Sequence, residues 1–357
     1  EVKIKEGEVQ SIICPAFNCE HRVPAAIIGT PLVDKETARR YMRFELRDFV
    51  KENQSIQWCP APGCDAAVCK KIQRDSWLGN MADCGKGHFF CFACGGEPHD
   101  PCSCEEYRQW KNDLKEMSIG LGQGSKNASA MATMLWIQTN TKKCPGCNSN
   151  IMKNEGCNHM TCQACKHEFC WICMEPWSRH GTSTGGYYNC NKFKGAGPTK
   201  NTEESKLAKK KLIDSKRYIH FVERIKAHQD SADLEQKMLA HAQERIKEMQ
   251  SATVMEVDAS FVTTSFITLY QNRIVLCGSY IKKYYSEGEA LTQNNGENKK
   301  IRLSRTGRSL PALYDTLQAE LESTTEALSN AIARKRWKMP RGRIISLTHQ
   351  AHTARNH

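Results

Sequence analysis

The sequence predicts a series of small zinc-binding modules followed by an α-helical bundle, and three observations carry that prediction. All but Cys277 of the nineteen cysteines lie at or before position 190. Six of the eight from position 144 to 190 form three C-x-x-C pairs, 144/147, 162/165 and 170/173, the spacing at which a tight turn presents two thiolates to one tetrahedral zinc. Beyond position 200 the composition turns to Lys, Glu, Gln, Ala and Leu, with apolar residues recurring at helical spacing. A chain of 357 residues holds two or more domains, and this density of cysteine points to several metal-held modules rather than one large core.

Residues 1–33 carry only Cys14 and Cys19, a C-x₄-C pair beside Ile12, Ile13, Val23 and Ile27. Two ligands do not close a zinc site, so either the others lie upstream or the pair is buried thiol. Residues 34–57 read as a linker helix that ends near Asn53. Asp34 is placed to cap it, Glu36 falls in its first turn, and Tyr41, Phe44, Leu46 and Phe49 run along it to pack on the flanking modules. Residues 58–104 hold a second zinc cluster: Cys59, Cys64, Cys84, His88, Cys91, Cys94, His99 and Cys104, with Cys69 and Cys102 left over as buried thiols or nearby alternatives. Residues 105–143 begin helically through Tyr107, Trp110 and Leu114. They pass a glycine-rich break from Ile119 and resume as a helix from Ala130 to Ile137, the composition of a tether or of a surface loop.

The segment 144–195 carries the chemistry. If Cys144, Cys147, Cys162 and Cys165 share one zinc, the pair Cys170/Cys173 needs two further ligands, and His180 with Cys190 supplies them. Cys157 is then left over, in Gly156-Cys157-Asn158-His159-Met160. A thiol is a nucleophile as its thiolate, and a nearby imidazole favours that form; in extended backbone His159 points the same way as Cys157. Spacing leaves the alternative open that Cys157 is a ninth zinc-affine residue in an all-cysteine site that frees His180.

Residues 201–345 read as a helical domain. One helix runs from a cap at Asn201 or Thr202 toward Met249, marked by Leu212, Tyr218, Phe221, Ile225, Leu234, Met238 and Ile246. A second runs from about Val254 to Tyr285, and a turn or loop follows at 294–300. A third, capped by Ser309, carries Leu310, Leu313, Leu317, Leu321, Leu328 and Ile332 as an amphipathic stripe. Three such helices make a bundle. The end of the chain, from Arg334 and including a tail at 346–357, is basic and is expected to fray with its charge solvated.

The run Cys144-Pro-Gly-Cys, Asn154-Glu-Gly-Cys-Asn-His-Met-Thr-Cys, His167-Glu-Phe-Cys-Trp-Ile-Cys and His180…Cys190 resembles the RING2 module of RING-between-RING ubiquitin ligases, and most of all the Ariadne subfamily. The resemblance implies that Cys157 accepts ubiquitin as a thioester and that His159 is the base. Segment 58–104 is similar to the in-between-RING (IBR) module, with a departure: where the family has Cys-x-Cys-Gly, this chain has Cys84-Gly-Lys86-Gly. His88 is the natural substitute, which assigns Cys59, Cys64, Cys84 and His88 to one zinc and Cys91, Cys94, His99 and Cys104 to another. Cys14 and Cys19 resemble the last two ligands of a RING1, the module on which the family docks its charged conjugating enzyme. The helix 34–57 matches one that contacts ubiquitin in related ligases. The helical region corresponds to the Ariadne domain, which in that family covers the catalytic cysteine. The implied cofactor is structural zinc, in four complete sites plus the incomplete RING1 site. The implied partners are a ubiquitin-conjugating enzyme, ubiquitin, a protein substrate and, as for related Ariadne ligases, a neddylated cullin complex. The Cys84-Gly-Lys-Gly-His variant and the loop from His180 to Cys190 resemble a branch of the subfamily whose members also bear ankyrin repeats.

Composition narrows the alternatives. The formal charge is +12, but a zinc with four thiolates carries −2 and one with three thiolates and an imidazole −1. One site of the first kind and three of the second bring the balance to about +7. That charge, with no basic stripe interleaved by aromatics, disfavours a nucleic-acid-binding protein and suits an acidic protein surface. No apolar run is long enough to span a bilayer. C-x-x-C spacing favours zinc over disulfides and hence a reducing compartment, the cytoplasm with the nucleus as an alternative. The rival reading from another class is a zinc scaffold that recruits ubiquitin-system partners without chemistry. A cysteine peptidase is a weaker rival, since no acid is evident in the sequence to orient His159.

Overall fold

The computed structural model describes residues 2–7, 9, 12–14, 16–28, 33–70, 79–122, 141–153, 156–180, 188–191, 203–252, 260–292, 310–333 and 341–356. The expected helix from Ala130 to Ile137, the caps at positions 201, 202 and 309, the loop at 294–300 and the basic run at 334–338 lie outside them. The chain divides into two compact units, residues 1–76 with 80–98, and residues 77–79 with 99–357.

In the first unit, helices α1 (Val2–Glu6), α2 (Ala25–Ile28) and α3 (Lys35–Glu52) enclose a small core of Ile4, Val9, Ile28 and Tyr41. The Asp34 carboxylate caps α3 by accepting the backbone N–H groups of Glu36 and Thr37 at 3.0 and 2.9 Å. The aromatic side of α3 divides: Tyr41 is buried, whereas Leu46 and Phe49 are 51% and 54% exposed. The expected packing therefore holds for Tyr41 and Phe44 but not for Leu46 and Phe49. Two antiparallel hairpins follow, β1 (Ile56–Trp58) with β2 (Ala67–Cys69) and β3 (Met81–Asp83) with β4 (Phe89–Cys91). Phe90 and Ala82 are buried among the ligand-bearing turns, while Cys69, expected to be a buried thiol, is exposed on β2.

The second unit opens with α4 (Cys104–Gly122). Ser103 and Glu106 form its capping box: the Glu106 N–H donates to the Ser103 hydroxyl at 3.1 Å, and the Ser103 N–H to the Glu106 carboxylate at 2.6 Å. The glycine-rich stretch begins inside this helix, because Gly120 and Gly122 are still helical. α4 is anchored by Trp110, buried among Phe221, Ile225, Tyr280 and Ile281, and by the Tyr285 hydroxyl donating to Asp113 at 2.7 Å. The hairpins β5 (Thr141–Lys143) with β6 (Asn150–Met152) and β7 (His159–Thr161) with β8 (Glu168–Cys170) come next. A 3₁₀ turn at Trp177–His180 and the short helix α5 (Tyr188–Asn191) complete this module.

The rest is a bundle of α6 (Glu203–Ala252), α7 (Ser260–Thr292), α8 (Leu310–Ala333) and α9 (Arg341–Asn356). The fourth helix corrects the expectation of a frayed tail at 346–357. Ile344, Leu347, Thr348, Ala351 and Ala354 recur on one face and are buried, while Arg341, Arg343, His349 and His352 point outward. Ile344, Leu347 and Ala351 join Val262, Phe266, Leu269, Leu328 and Ile332 in one core. Asn272 of α7 donates to the Ala351 carbonyl at 3.1 Å, which ties the helix down.

Candidate transfer site

Four sets of cysteine and histidine come together, each with its ligand atoms within 4.8 Å of one another: Cys59, Cys64, Cys84 and His88; Cys91, Cys94, His99 and Cys104; Cys144, Cys147, Cys162 and Cys165; and Cys170, Cys173, His180 and Cys190. These are the groupings the sequence assigns, and His88 stands with the first, its Nδ1 3.5 Å from Cys84 Sγ and 3.7 Å from Cys59 Sγ. Cys14 and Cys19 join no such set among the described residues.

The turns explain why the ligands converge. After Cys144, Cys162 and Cys170, the residue four positions on donates its N–H back to the cysteine carbonyl at 2.8, 2.9 and 2.8 Å. Each of those residues, Asn148, Lys166 and Met174, sits at a positive φ of 59°, 61° and 62°. Only Asn148 is of a type that adopts this conformation readily; the metal site must hold the other two there. Tetrahedral zinc with Zn–S of about 2.3 Å places its sulfurs about 3.8 Å apart. The pairs Cys144–Cys165 and Cys147–Cys162 are each 3.6 Å apart, so the third set fits that ion without rearrangement. All four sets are four-ligand and closed, the pattern of structural sites.

Cys157 belongs to none of them. It is 4% exposed, in the loop before β7, and its sulfur accepts the backbone N–H of His159 at 3.3 Å. Burial and the nearby Glu326 carboxylate push its thiol well above the ordinary value, against the pull of that N–H. The His159 ring stacks on Trp177 at 4.2 Å, and its Nε2 faces the Glu168 carboxylate at 3.6 Å. Glu168 is the acid that was not evident in the sequence. The β7–β8 register pairs His159 with Cys170 and Thr161 with Glu168, so His159 and Glu168 are diagonal neighbours on one face.

What covers Cys157 also becomes visible. Glu326 of α8 accepts the Asn158 backbone N–H on Oε2 at 2.6 Å and the Asn158 side-chain amide on Oε1 at 2.7 Å. Arg273 of α7 is fully buried; it donates to Glu326 at 2.6 Å, to Glu235 of α6 at 2.9 Å and to the Gly156 carbonyl at 3.1 Å. A side chain at Gly156 would collide with Glu235, which is why glycine precedes the cysteine in this arrangement. Burial alone would raise the Glu326 carboxyl, but Arg273 and Lys153 hold it down at about 2. Beside this cluster, Glu322 accepts from Tyr280 at 2.5 Å and from His228 at 2.9 Å. It also accepts from Asn191, next to ligand Cys190, at 2.7 Å. Charges this deep persist only when paired and hydrogen-bonded.

Comparison with known proteins agrees with this anatomy. Residues 39–104 match the family described as "IBR domain, a half RING-finger domain", residues 139–191 "IBR domain", and residues 216–351 "Ariadne domain". The chain is 35% identical to the human ankyrin repeat and IBR domain-containing protein 1, over 96% of its own length and 32% of that protein's. It is 32% identical to E3 ubiquitin-protein ligase dbl4 of Schizosaccharomyces pombe and 31% to E3 ubiquitin-protein ligase ariadne-1 of Drosophila melanogaster. Each match covers 93% of this chain and 58% of the relative. The chain thus spans about a third to under two thirds of these relatives.

Proposed function

Since the chain belongs to the RING-between-RING proteins of Ariadne type, we propose that it is the transfer-competent part of an E3 ubiquitin ligase. Its partners are a ubiquitin-conjugating enzyme, ubiquitin and a protein substrate in a reducing, cytoplasmic compartment. Ubiquitin passes from the conjugating enzyme's cysteine to Cys157 and then to a substrate lysine. One observation carries the reading: four complete ligand sets leave Cys157 outside, two residues before His159, whose ring faces Glu168. The competing role as a ninth ligand finds no vacancy among those sets. The sets fit structural zinc, which holds the turns and leaves no open position for water or substrate.

His159, with Glu168 facing its Nε2, takes the proton of the attacking amine during the second transfer. His159→Ala should slow discharge to free lysine by about 10²-fold, with a smaller effect on loading; equal slowing of both steps in single-turnover assays would count against the base role. In the closed arrangement Cys157 is sealed under Glu326 and Arg273, so the helical domain is autoinhibitory and an activator must withdraw it. A neddylated cullin complex is the activator we propose. The exposed Leu46 and Phe49 of α3 are a surface available to ubiquitin.

The test is a non-reducing gel of Glu326→Ala chain incubated with ubiquitin-charged conjugating enzyme. An adduct that reductant cleaves, absent in Cys157→Ala and retained in Cys69→Ala and Cys102→Ala at unchanged zinc content, supports the ligase. No adduct, with one zinc lost in Cys157→Ala, would make Cys157 a ligand and the chain a scaffold.

A further inference from the structure

The contact that covers Cys157 has an uncommon form. Two N–H donors of a single residue, the backbone N–H and the side-chain amide of Asn158, converge on one carboxylate, and that residue directly follows the nucleophile. A backbone N–H just after a nucleophile and a side-chain amide are two of the donors that acyl-transfer sites aim at a developing oxyanion. The geometry points to Asn158 as the oxyanion-stabilising residue of transfer at Cys157, with Glu326 closing the protein by placing a carboxylate where the oxyanion forms and Lys153 as the positioning residue. This rests on the proposal that Cys157 carries ubiquitin.

The donors are set by the zinc module itself. The Asn158 carbonyl accepts the Trp171 N–H at 2.8 Å, which anchors the backbone of this residue to the module. The Asn158 side-chain oxygen accepts from Lys153 Nζ at 2.8 Å, so the amide nitrogen is the end that faces Glu326. Lys153 also reaches α6, donating to the Ser231 hydroxyl at 2.5 Å and to the Ala227 carbonyl at 3.4 Å. When the helices withdraw, those two bonds and the Glu326 bonds are lost, whereas the Lys153–Asn158 and Trp171–Asn158 bonds lie within the module. The site is then preorganised and vacant.

Each transfer passes through such an anion. In loading, the Cys157 thiolate adds to the thioester carbonyl carbon, and the π pair moves onto oxygen. The pair then returns, the bond to the conjugating enzyme's sulfur breaks, and that sulfur leaves as thiolate and is protonated by solvent. In discharge, the substrate amine adds and gives its proton to His159. The pair moves onto oxygen and returns, and the Cys157 thiolate leaves. The Asn158 donors face the oxygen in both steps.

The experiment uses the full chain carrying Glu326→Ala and reads two rates at Cys157 by mass spectrometry. One is acylation by a small-molecule thioester of ubiquitin, which needs no conjugating enzyme; the other is alkylation by iodoacetamide, which displaces iodide and forms no oxyanion. Asn158→Ala should lower acylation about 10²-fold relative to alkylation. Asn158→Asp, which keeps the acceptor for Lys153 and loses the side-chain donor, should lower it at least as much. Lys153→Met should give a smaller fall in the same ratio, partly restored in Lys153→Arg. Acylation and alkylation falling together, or neither falling, would overturn the assignment while leaving Cys157 as the carrier. If the Glu326→Ala chain alkylates at Cys157 yet takes no ubiquitin there, the transfer reading fails and this inference with it.

Discussion

Glu326→Ala should convert Cys157 from a protected thiol into a reactive one, raising its alkylation by iodoacetamide by two or more decades over the parent chain. The substitution removes both hydrogen bonds to Asn158 and half of the carboxylate pairing of Arg273, which stays buried with Glu235 as its remaining carboxylate partner. Removing one partner of a buried ion pair costs about 3–5 kcal/mol, because the other charge is left uncompensated. At about 1.4 kcal/mol per decade, that shifts the closed-to-open balance by roughly two to three and a half decades. A second change acts in the same direction, since the Glu326 charge is one of the causes that push the Cys157 thiol upward. The comparison variant is Glu320→Ala, on the exposed side of the same helix, which should leave the rate unchanged. An unchanged rate in Glu326→Ala would mean that apolar packing, and not this carboxylate, keeps the helices on the module. The double variant with Arg273→Leu distinguishes the pair from its parts: if the penalty is stranded charge, adding the second substitution should cost less than the two singles combined.

Much of the zinc architecture is legible in the sequence because ligation is local. A C-x-x-C turn and the N–H returning four residues after its first cysteine are encoded within a few positions, each ligand set closes within about thirty, and imidazole at position 88 stands in for a thiolate without disturbing that logic. The cover over Cys157 is not local. Glu326 and Asn158 lie 168 positions apart, and a glutamate on an amphipathic helix reads by default as solvated. Two signals were nonetheless present. Arg273 sits in the run Asn272-Arg-Ile-Val-Leu, where a charge amid apolar residues requires partners, and Glu322, Thr325, Glu326 and Ser329 make a polar stripe beside Leu321, Leu328 and Ile332. Glu168 was hidden for a different reason: only the register of β7 against β8 brings it to His159. In α9 the basic residues outnumber the large apolar ones, and the buried face formed by Ile344, Leu347, Ala351 and Ala354 is half alanine, which makes its periodicity faint in the sequence.

Stripping zinc with a strong chelator should unfold the transfer module while leaving the bundle helical. The module's own core is Met160, Phe169, Trp171 and Ile172, strung on hairpins three residues per strand, and such hairpins do not stand alone in water. A structural zinc contributes about 10–16 kcal/mol of apparent binding free energy at neutral pH, more than the whole stability of a typical domain, so its loss outweighs what those four side chains supply. The bundle has a separate core in Val262, Phe266, Leu269, Leu328, Ile332, Ile344 and Leu347, none of which touches a ligand set. Far-UV circular dichroism should therefore keep most of its helical signal after chelation, while Cys157 and the seven cysteine ligands of the module become titratable by a thiol reagent. The exposed face left on the bundle would present Arg273, Glu235, Glu322 and His228 without Gly156, Asn158 or Asn191 to cover them, so water must take over those hydrogen bonds. Loss of the helical signal in step with zinc would show that the bundle depends on the module, and thiols that stay protected after zinc has left would show that the module folds without metal.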